Sequence, residues 1–382
     1  MKRLILITVL LGVFTPAFAF DWKPQTNEVL RNDMFSFMDD FIKGLDDMQL
    51  TAELKAFVGD QKQKAVAEPY AWIKDTHDFV DSLLERYPAE LSEGGGCSYV
   101  RRKLLLLRDY PMHSDNKVLD APQEQKAAYR NSILSLYADA EAGAMAWLKE
   151  GRRSRELDIY KVYNMGYLFR SAGKVVAVDL QWSGNEEQMA EFAALVDVFF
   201  VTHPHSDHYN KALLEAVLKA GKTVVLPSDI VPEYKGSNKV LVTEAVLEPM
   251  KFGKISFVSR MGNQGEAIPC NVYLISLGKW NIADNGDNYI DEAETYLSSA
   301  RVDVLVAACW NKIKDTMTHI KANPEGTECI YFSSHENEWK HTVDHRESYE
   351  ELFRRSDRLG DKGYDYLPTV VMDAAGDRFI LK

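Results

Sequence analysis

The sequence predicts an α/β protein, with packed sheets and helices outside them, behind a helical N-terminal extension. Three observations predict it. Apolar residues recur every three or four positions as far as about residue 151, the period changes there, and strand-like and helix-like segments then alternate to the C-terminus. At 382 residues the chain has room for two units, or for one large domain with an extension.

Residues 1 to 19 read as a processing segment. Lys2 and Arg3 precede an apolar run over residues 4 to 14, and Ala17-Phe18-Ala19 has the small-x-small form of a cleavage site. The run is too short for a bilayer span, and no cysteine near the cut offers a lipid attachment point. Cleavage after Ala19 implies a secreted or periplasmic protein with no integral membrane span. It removes two positive charges, which takes the net charge from −12 to −14.

The helical extension covers residues 20 to 155. Leu30, Met34, Phe37, Phe41, Leu45 and Met48 form one apolar stripe. Val80, Leu83, Leu84 and Tyr87 form a second, and Ile133, Leu136, Ala140, Ala144, Trp147 and Leu148 a third. Gly94-Gly95-Gly96 and Asp109-Tyr110-Pro111 break the helical pattern, and the polar stretch 149 to 156 is the junction.

The second unit covers residues 156 to 382. It opens with a hairpin of residues 160 to 169 and 175 to 180 about the Ala172-Gly173 turn. A helix over 186 to 195, a buried strand over 196 to 202 and a helix over 210 to 220, stopped by Gly221, come next. Later strands are expected at 223 to 226, 255 to 259, 271 to 277, 302 to 308 and 329 to 333, with a final hairpin over 369 to 381 around Gly376. The 57 acidic residues against 45 basic ones argue against a nucleic-acid partner, which needs a basic face. Cys97, Cys270, Cys309 and Cys329 are too few for a disulfide scaffold and show no paired spacing. Cys309 and Cys329 sit in apolar runs and read as buried thiols.

Chemistry concentrates in Thr202-His203-Pro204-His205-Ser206-Asp207-His208, where a buried strand ends. Three of the chain's nine histidines fall within six residues, beside a carboxylate. A turn of this form aims His203 and His205 one way while Asp207 and His208 reach a neighbouring position, giving two adjacent metal pockets. Imidazole and carboxylate suit zinc, and also hold iron or manganese.

This string resembles the signature of the metallo-β-lactamase superfamily, and the resemblance extends over residues 160 to 382. It implies an αβ/βα sandwich of two sheets with helices on both outer faces, and one or two metal ions at the sheet ends. It also implies a strand-end aspartate at Asp179, a bridging carboxylate at Asp287 in Gly286-Asp287, and a last ligand at His335. The metal ligands it implies are His203, His205, Asp207, His208, Asp287 and His335. One family histidine has no counterpart: Met261-Gly262-Asn263-Gln264-Gly265-Glu266 stands where it is expected. Either Asn263 or Glu266 replaces it or the first pocket is weak or empty, whereas the second pocket, with Asp207, His208, Asp287 and His335, is complete. An aspartate at 287 implies a lactonase, thioesterase or phosphodiesterase type of hydrolase rather than a β-lactamase.

The function expected is that of an exported metal-dependent hydrolase using metal-activated water on a small ester, lactone, amide or phosphodiester. Asp207 is expected to be both ligand and water orienter. His341 and His345, four residues apart and so on one face of a helix, are the candidate proton sources for the leaving group. Two alternatives stay open. His203, His205 and Asp287 make the facial set of a mononuclear iron redox enzyme, and the absent histidine motivates a catalytically inactive binding protein. The extension carries no charge clustering, which favours a small-molecule cleft.

Overall fold

A computed structural model describes residues 25–90, 98–117, 122–227, 230, 234, 237, 239–242, 245–264, 268–308, 330–334, 348–350, 352–354, 369–371 and 374–382. The expected processing segment, Cys97, Cys309, Cys329, Glu266, His335, His341 and His345 lie outside these residues.

The extension forms α1 (Asn27–Lys43), α2 (Met48–Ala67), α3 (Ala71–Leu84), α4 (Tyr99–Lys117) and α5 (Gln123–Lys149). The first expected stripe is divided between two helices. Thr26 caps α1 by accepting from Val29 N–H, Gly44 ends it, and Asp47 starts α2 by accepting from Leu50 N–H. Asp109-Tyr110-Pro111 does not break a helix: α4 runs through Pro111. Leu104, Leu105, Leu107 and Tyr110 of α4 are buried in the core of the extension, and that packing outweighs the cost of a proline inside a helix.

Fourteen strands follow among the described residues, in two seven-stranded mixed sheets. The first contains β1 (Leu157–Tyr163), β2 (Gly166–Ser171), β3 (Lys174–Val178), β4 (Val198–Phe200), β5 (Thr223–Leu226), β6 (Val240–Val242) and β14 (Arg378–Leu381), in the order β14-β1-β2-β3-β4-β5-β6. The second contains β7 (Val246–Phe252), β8 (Ile255–Gln264), β9 (Ile268–Leu277), β10 (Trp280–Asp284), β11 (Val304–Ala308), β12 (Ile330–Ser334) and β13 (Thr369–Val371), in the order β13-β12-β11-β10-β9-β8-β7. Strands β3 to β6 run parallel, as do β10 to β13, so each sheet gathers several strand C-termini at one end.

Two expectations fail here. Residues 160 to 169 are two strands, divided at Asn164, whose φ of 40° turns the chain back toward Gly166. The expected final hairpin is no hairpin: β13 pairs with β12, whereas β14 crosses to the other sheet and pairs with β1. Gly376 turns the chain between the sheets, and its N–H donates to Lys161 O.

The sheets pack through Ile159, Phe200, Phe257, Tyr273, Ile275, Ile282 and Val304, all nearly or fully buried. On the outer face of the first sheet lie α5, α6 (Glu186–Leu195) and α7 (Lys211–Lys219). Helix α5 packs so tightly there that a Cβ on Gly143 would stand 2.2 Å from Tyr160 Oη, which donates to Ala140 O at 3.1 Å. On the second sheet, two 3-10 turns, Asp291–Ala293 and Thr295–Ser299, adjoin the loop that leaves β10.

Candidate metal centre

The centre sits where strands end. Asp179 follows β3, Thr202 and His203 follow β4, and the 284 to 288 loop leaves β10 in the facing sheet. Carboxyl ends of parallel strands leave backbone turns free to present side chains, and here both sheets supply them.

Asp179 organises the first half. It has a left-handed backbone, φ 49°, that turns the chain out of β3. Its Oδ1 accepts from Thr202 N–H at 2.7 Å, and its Oδ2 accepts the Thr202 hydroxyl proton at 2.5 Å. His208 Nδ1 lies 2.8 Å from the same Oδ2. A carboxylate only accepts, so in the neutral ring Nδ1 of His208 carries the proton and Nε2 keeps its lone pair, as a metal ligand requires. Thr202 has given its only proton to Asp179 and must accept from His203 Nδ1, 3.1 Å away. The Nε2 of His203 is therefore bare as well. One buried aspartate thus fixes both imidazoles as ligands.

Both bare nitrogens meet acids. His203 Nε2 lies 3.4 Å from Asp287 Oδ2, and His208 Nε2 lies 3.0 Å from Asp207 Oδ2 and 3.4 Å from Asp287 Oδ2. Neither nitrogen has a hydrogen-bond partner among the described residues, nor does Asp287 Oδ1. Lone pairs facing carboxylates in a site screened from water repel unless a cation stands between them. The acids favour a positive charge at this place, which a proton on His208 supplies when no cation does. Against the opposing effect of burial, Asp207, Asp287 and Asp179 raise His208 well above the usual imidazole range. Burial likewise opposes ionisation of Asp287, yet His208 and His203 hold it well below the usual carboxylate range. His205 is half-buried, and its pKa falls, chiefly through burial and then through His203.

Two foci result. Ligand atoms of His203, His205 and Asp287 lie within 4.8 Å of one another, and so do those of Asp207, His208 and Asp287. The donor set fits one or two divalent cations, with Asp287 common to both foci. His335 has no described position, although β12 ends at Ser334, level with the end of β11 at Ala308.

Several residues here gave little signal in the sequence. Asn164 donates from Nδ2 to Asp207 Oδ2 at 2.8 Å and so fixes that carboxylate. Its position in Asn-Met-Gly is a turn signal, but not a pointer to a residue 43 positions away. Cys270 places Sγ 3.9 Å from His203 Nδ1, and burial first, then Asp287, pushes its thiol well up. Gln264 donates from Nε2 to Asp287 Oδ2 at 3.1 Å. Asn263, expected as a stand-in ligand, uses its backbone to donate to Asn288 Oδ1 and accept from Tyr289 N–H, while its own Oδ1 is buried without a hydrogen-bond partner among the described residues.

No protein-family model and no curated protein matches the chain. Among solved structures, it matches Igni18, described as a novel metallo hydrolase from the archaeon Ignicoccus hospitalis, at 13% identity and a TM-score of 0.44 over 59% of this chain and 99% of that one. It matches YhfI, a metallo-β-lactamase fold protein from Bacillus subtilis, at 14% identity and 0.42 over 59% and 100%. In fold, the chain is similar to metallo-β-lactamase fold proteins. An isothiocyanate hydrolase from Delia radicum gut bacteria matches at 14% identity and 0.41 over 58% and 98%. Likeness to metallo-β-lactamase fold proteins at this level adds nothing to the chemistry, which rests on the side chains themselves.

Proposed function

We propose that this protein is an exported metal-dependent hydrolase acting on a small ester, lactone, amide or phosphodiester. The observation that carries the reading is the set of bare, buried imidazole nitrogens turned toward Asp207 and Asp287. When bound there, a divalent cation supplies Lewis-acid polarisation of a carbonyl or phosphoryl oxygen and lowers the pKa of water toward about 7. Zinc suits the donors, and iron or manganese also fits them.

The chain's own groups supply the rest. Asp179 keeps His203 and His208 in the ligating tautomer. Asn164 holds Asp207 in one orientation, so the carboxylate is ready to accept a proton from an attacking water. His203, Asp207, His208 and Asp287 are almost wholly buried, which excludes bulk water and strengthens every charge interaction among them. His205 is half-buried, the most exposed of the ligands with a described position. His341 or His345 is the proton source for the leaving group in this reading.

Export rests on Lys2, Arg3, the apolar run behind them and Ala17-Phe18-Ala19. No described helix is long and apolar enough to cross a membrane. N-terminal sequencing of protein from its own host should begin at Phe20; an intact Met1 would refute processing.

The test of activity is a screen of metal-loaded protein against lactones, carboxylic esters, thioesters, amides and phosphodiesters. We expect turnover of at least one class, lost on chelation and restored by zinc. Asp207→Ala should abolish that turnover with the fold intact, and full residual activity would discard the role given to Asp207. A second reading has one specific observation behind it. His203, His205 and Asp287 meet as two imidazoles and a carboxylate, the facial set of mononuclear iron enzymes. Substrate-dependent oxygen uptake by iron-loaded protein would favour it over hydrolysis.

A further inference from the structure

The first focus lacks a third imidazole, and an amide whose oxygen has no partner among the described residues lies against the carboxylate that the two foci share. Gly262 and Gln264, two apart on β8, share the side of the strand that meets the loop after β10. A Cβ at Gly262 would stand 1.8 Å from Asn288 Oδ1, so only glycine lets that loop lie so close. Asn263 N–H donates to the same Asn288 Oδ1 at 3.1 Å, and Tyr289 N–H donates to Asn263 O at 2.7 Å. The end of β8 is thereby clamped to the segment that carries Asp287. The clamp brings the Gln264 amide to Asp287, with Nε2 3.1 Å from Oδ2, the oxygen that also faces His203 Nε2 and His208 Nε2. Its other atom, Oε1, is buried without a hydrogen-bond partner among the described residues.

An amide whose N–H is held by the shared carboxylate and whose buried oxygen has no partner among the described residues has an acceptor left for a cation. We propose that Gln264 is a metal ligand: its amide oxygen completes the focus of His203, His205 and Asp287, while its N–H steadies the shared carboxylate. The assignment rests on the metal-centre reading above. It makes the first focus a set of two nitrogens and two oxygens, harder and more weakly holding than three imidazoles and a carboxylate. The second focus does not use Gln264. The two ions should therefore differ in affinity, the first leaving before the second.

The test uses the full chain loaded with cobalt(II), whose visible absorption reports its ligands. Wild type should bind two cobalt ions per chain, one removed by chelator ahead of the other. Gln264→Ala should bind one, losing the weaker ion and its share of the absorption. Gln264→His should keep two, with the weaker ion now held more tightly and its band shifted by the added nitrogen. Circular dichroism matching wild type shows that each variant is folded, and the histidine variant tests the assignment even if the alanine variant is unstable. The assignment is overturned if wild type binds a single cobalt. It is also overturned if both variants keep two cobalt ions with the wild-type spectrum, as a residue that only donated to Asp287 would allow. Failure of the metal-centre reading looks different: no variant, and not wild type either, takes up cobalt.

Discussion

At the scale of single residues, Asp179 carries the most consequence. It contributes no atom to either focus, yet it accepts from Thr202 twice and lies against His208, and these contacts set which nitrogen of each imidazole is bare. Asparagine tolerates the left-handed backbone of that position but cannot accept everywhere the carboxylate does. Asp179→Asn should therefore keep the fold while weakening metal binding by about 10- to 100-fold, as outer partners of metal-ligating histidines typically do. Competition with a chromophoric chelator measures this, and unchanged affinity would remove Asp179 from the account. His77, in α3, is a residue of another kind. It is buried, and burial first, then Arg108 and Lys74, lowers its pKa well below the usual imidazole range. The folded protein keeps it neutral while the unfolded chain takes up a proton below about pH 6.5. Its effect on stability is nil above that pH, and stability falls as the pH drops from there toward the depressed folded value. Denaturant midpoints between about pH 7 and 5 should consequently fall more for wild type than for His77→Leu.

At the scale of elements, the loop after β10 is the critical connection, because it carries Asp287 from the second sheet to the histidines of the first. Gly286 lets it pass: its φ is 48°, and a Cβ there would lie 2.6 Å from Thr202 Oγ1 and 2.7 Å from Thr202 Cβ. Gly286→Ala should cost about 1 to 3 kcal/mol through backbone strain and crowding. It should also displace Asp287, which metal titration would register as weaker binding of both ions. Much of this was legible in the sequence. The alternation after residue 156 announces an α/β fold, and the histidine string at the end of β4 announces its chemistry, because periodicity and a dense ligand motif are local. What was not legible depended on distance. Asn164 falls inside an expected strand, and nothing local says that its side chain meets Asp207. Pro111 signals a break locally, and only the burial of Leu104, Leu107 and Tyr110 shows why the helix continues. The last two strands have the local pattern of one hairpin, because the turn at Gly376 looks the same whether the chain returns to its own sheet or crosses to the other. Nothing local sets Gln264 apart from Asn263, because strand alternation decides which of two neighbouring amides meets Asp287.

At the scale of the whole molecule, the extension is tied to the sandwich by buried charge as well as by apolar surface. Arg101 of α4, fully buried, donates to Asp377 Oδ2 at 2.5 Å and to Tyr87 O at 2.9 Å. The same carboxylate accepts from Ala374 N–H at 3.1 Å just ahead of β14. Asp109 accepts from Tyr349 and Glu350 N–H, and Tyr349, Leu352 and Phe353 join the core of the extension. Removing one member of a buried pair strands the other, so Arg101→Met should lower stability by about 3 to 5 kcal/mol, read as a reduced denaturant midpoint. A loss under 1 kcal/mol would mean that the Arg101–Asp377 pair adds little to the hold of the extension. Helix α5 joins the two parts differently, since its C-terminal half lies in the core of the first sheet's outer face, with Trp147 Nε1 donating to Asp158 Oδ1 at 2.9 Å. The extension and the sandwich thus hold the strand ends in place around one centre, and that centre is the claim on which the functional reading depends. An anomalous-scattering map from crystals of the zinc-loaded protein tests it most directly. The account predicts a peak within coordinating reach of His208, Asp207 and Asp287, and a second, weaker one beside His203 and His205; an ordered, zinc-saturated crystal with no peak among these residues would contradict it.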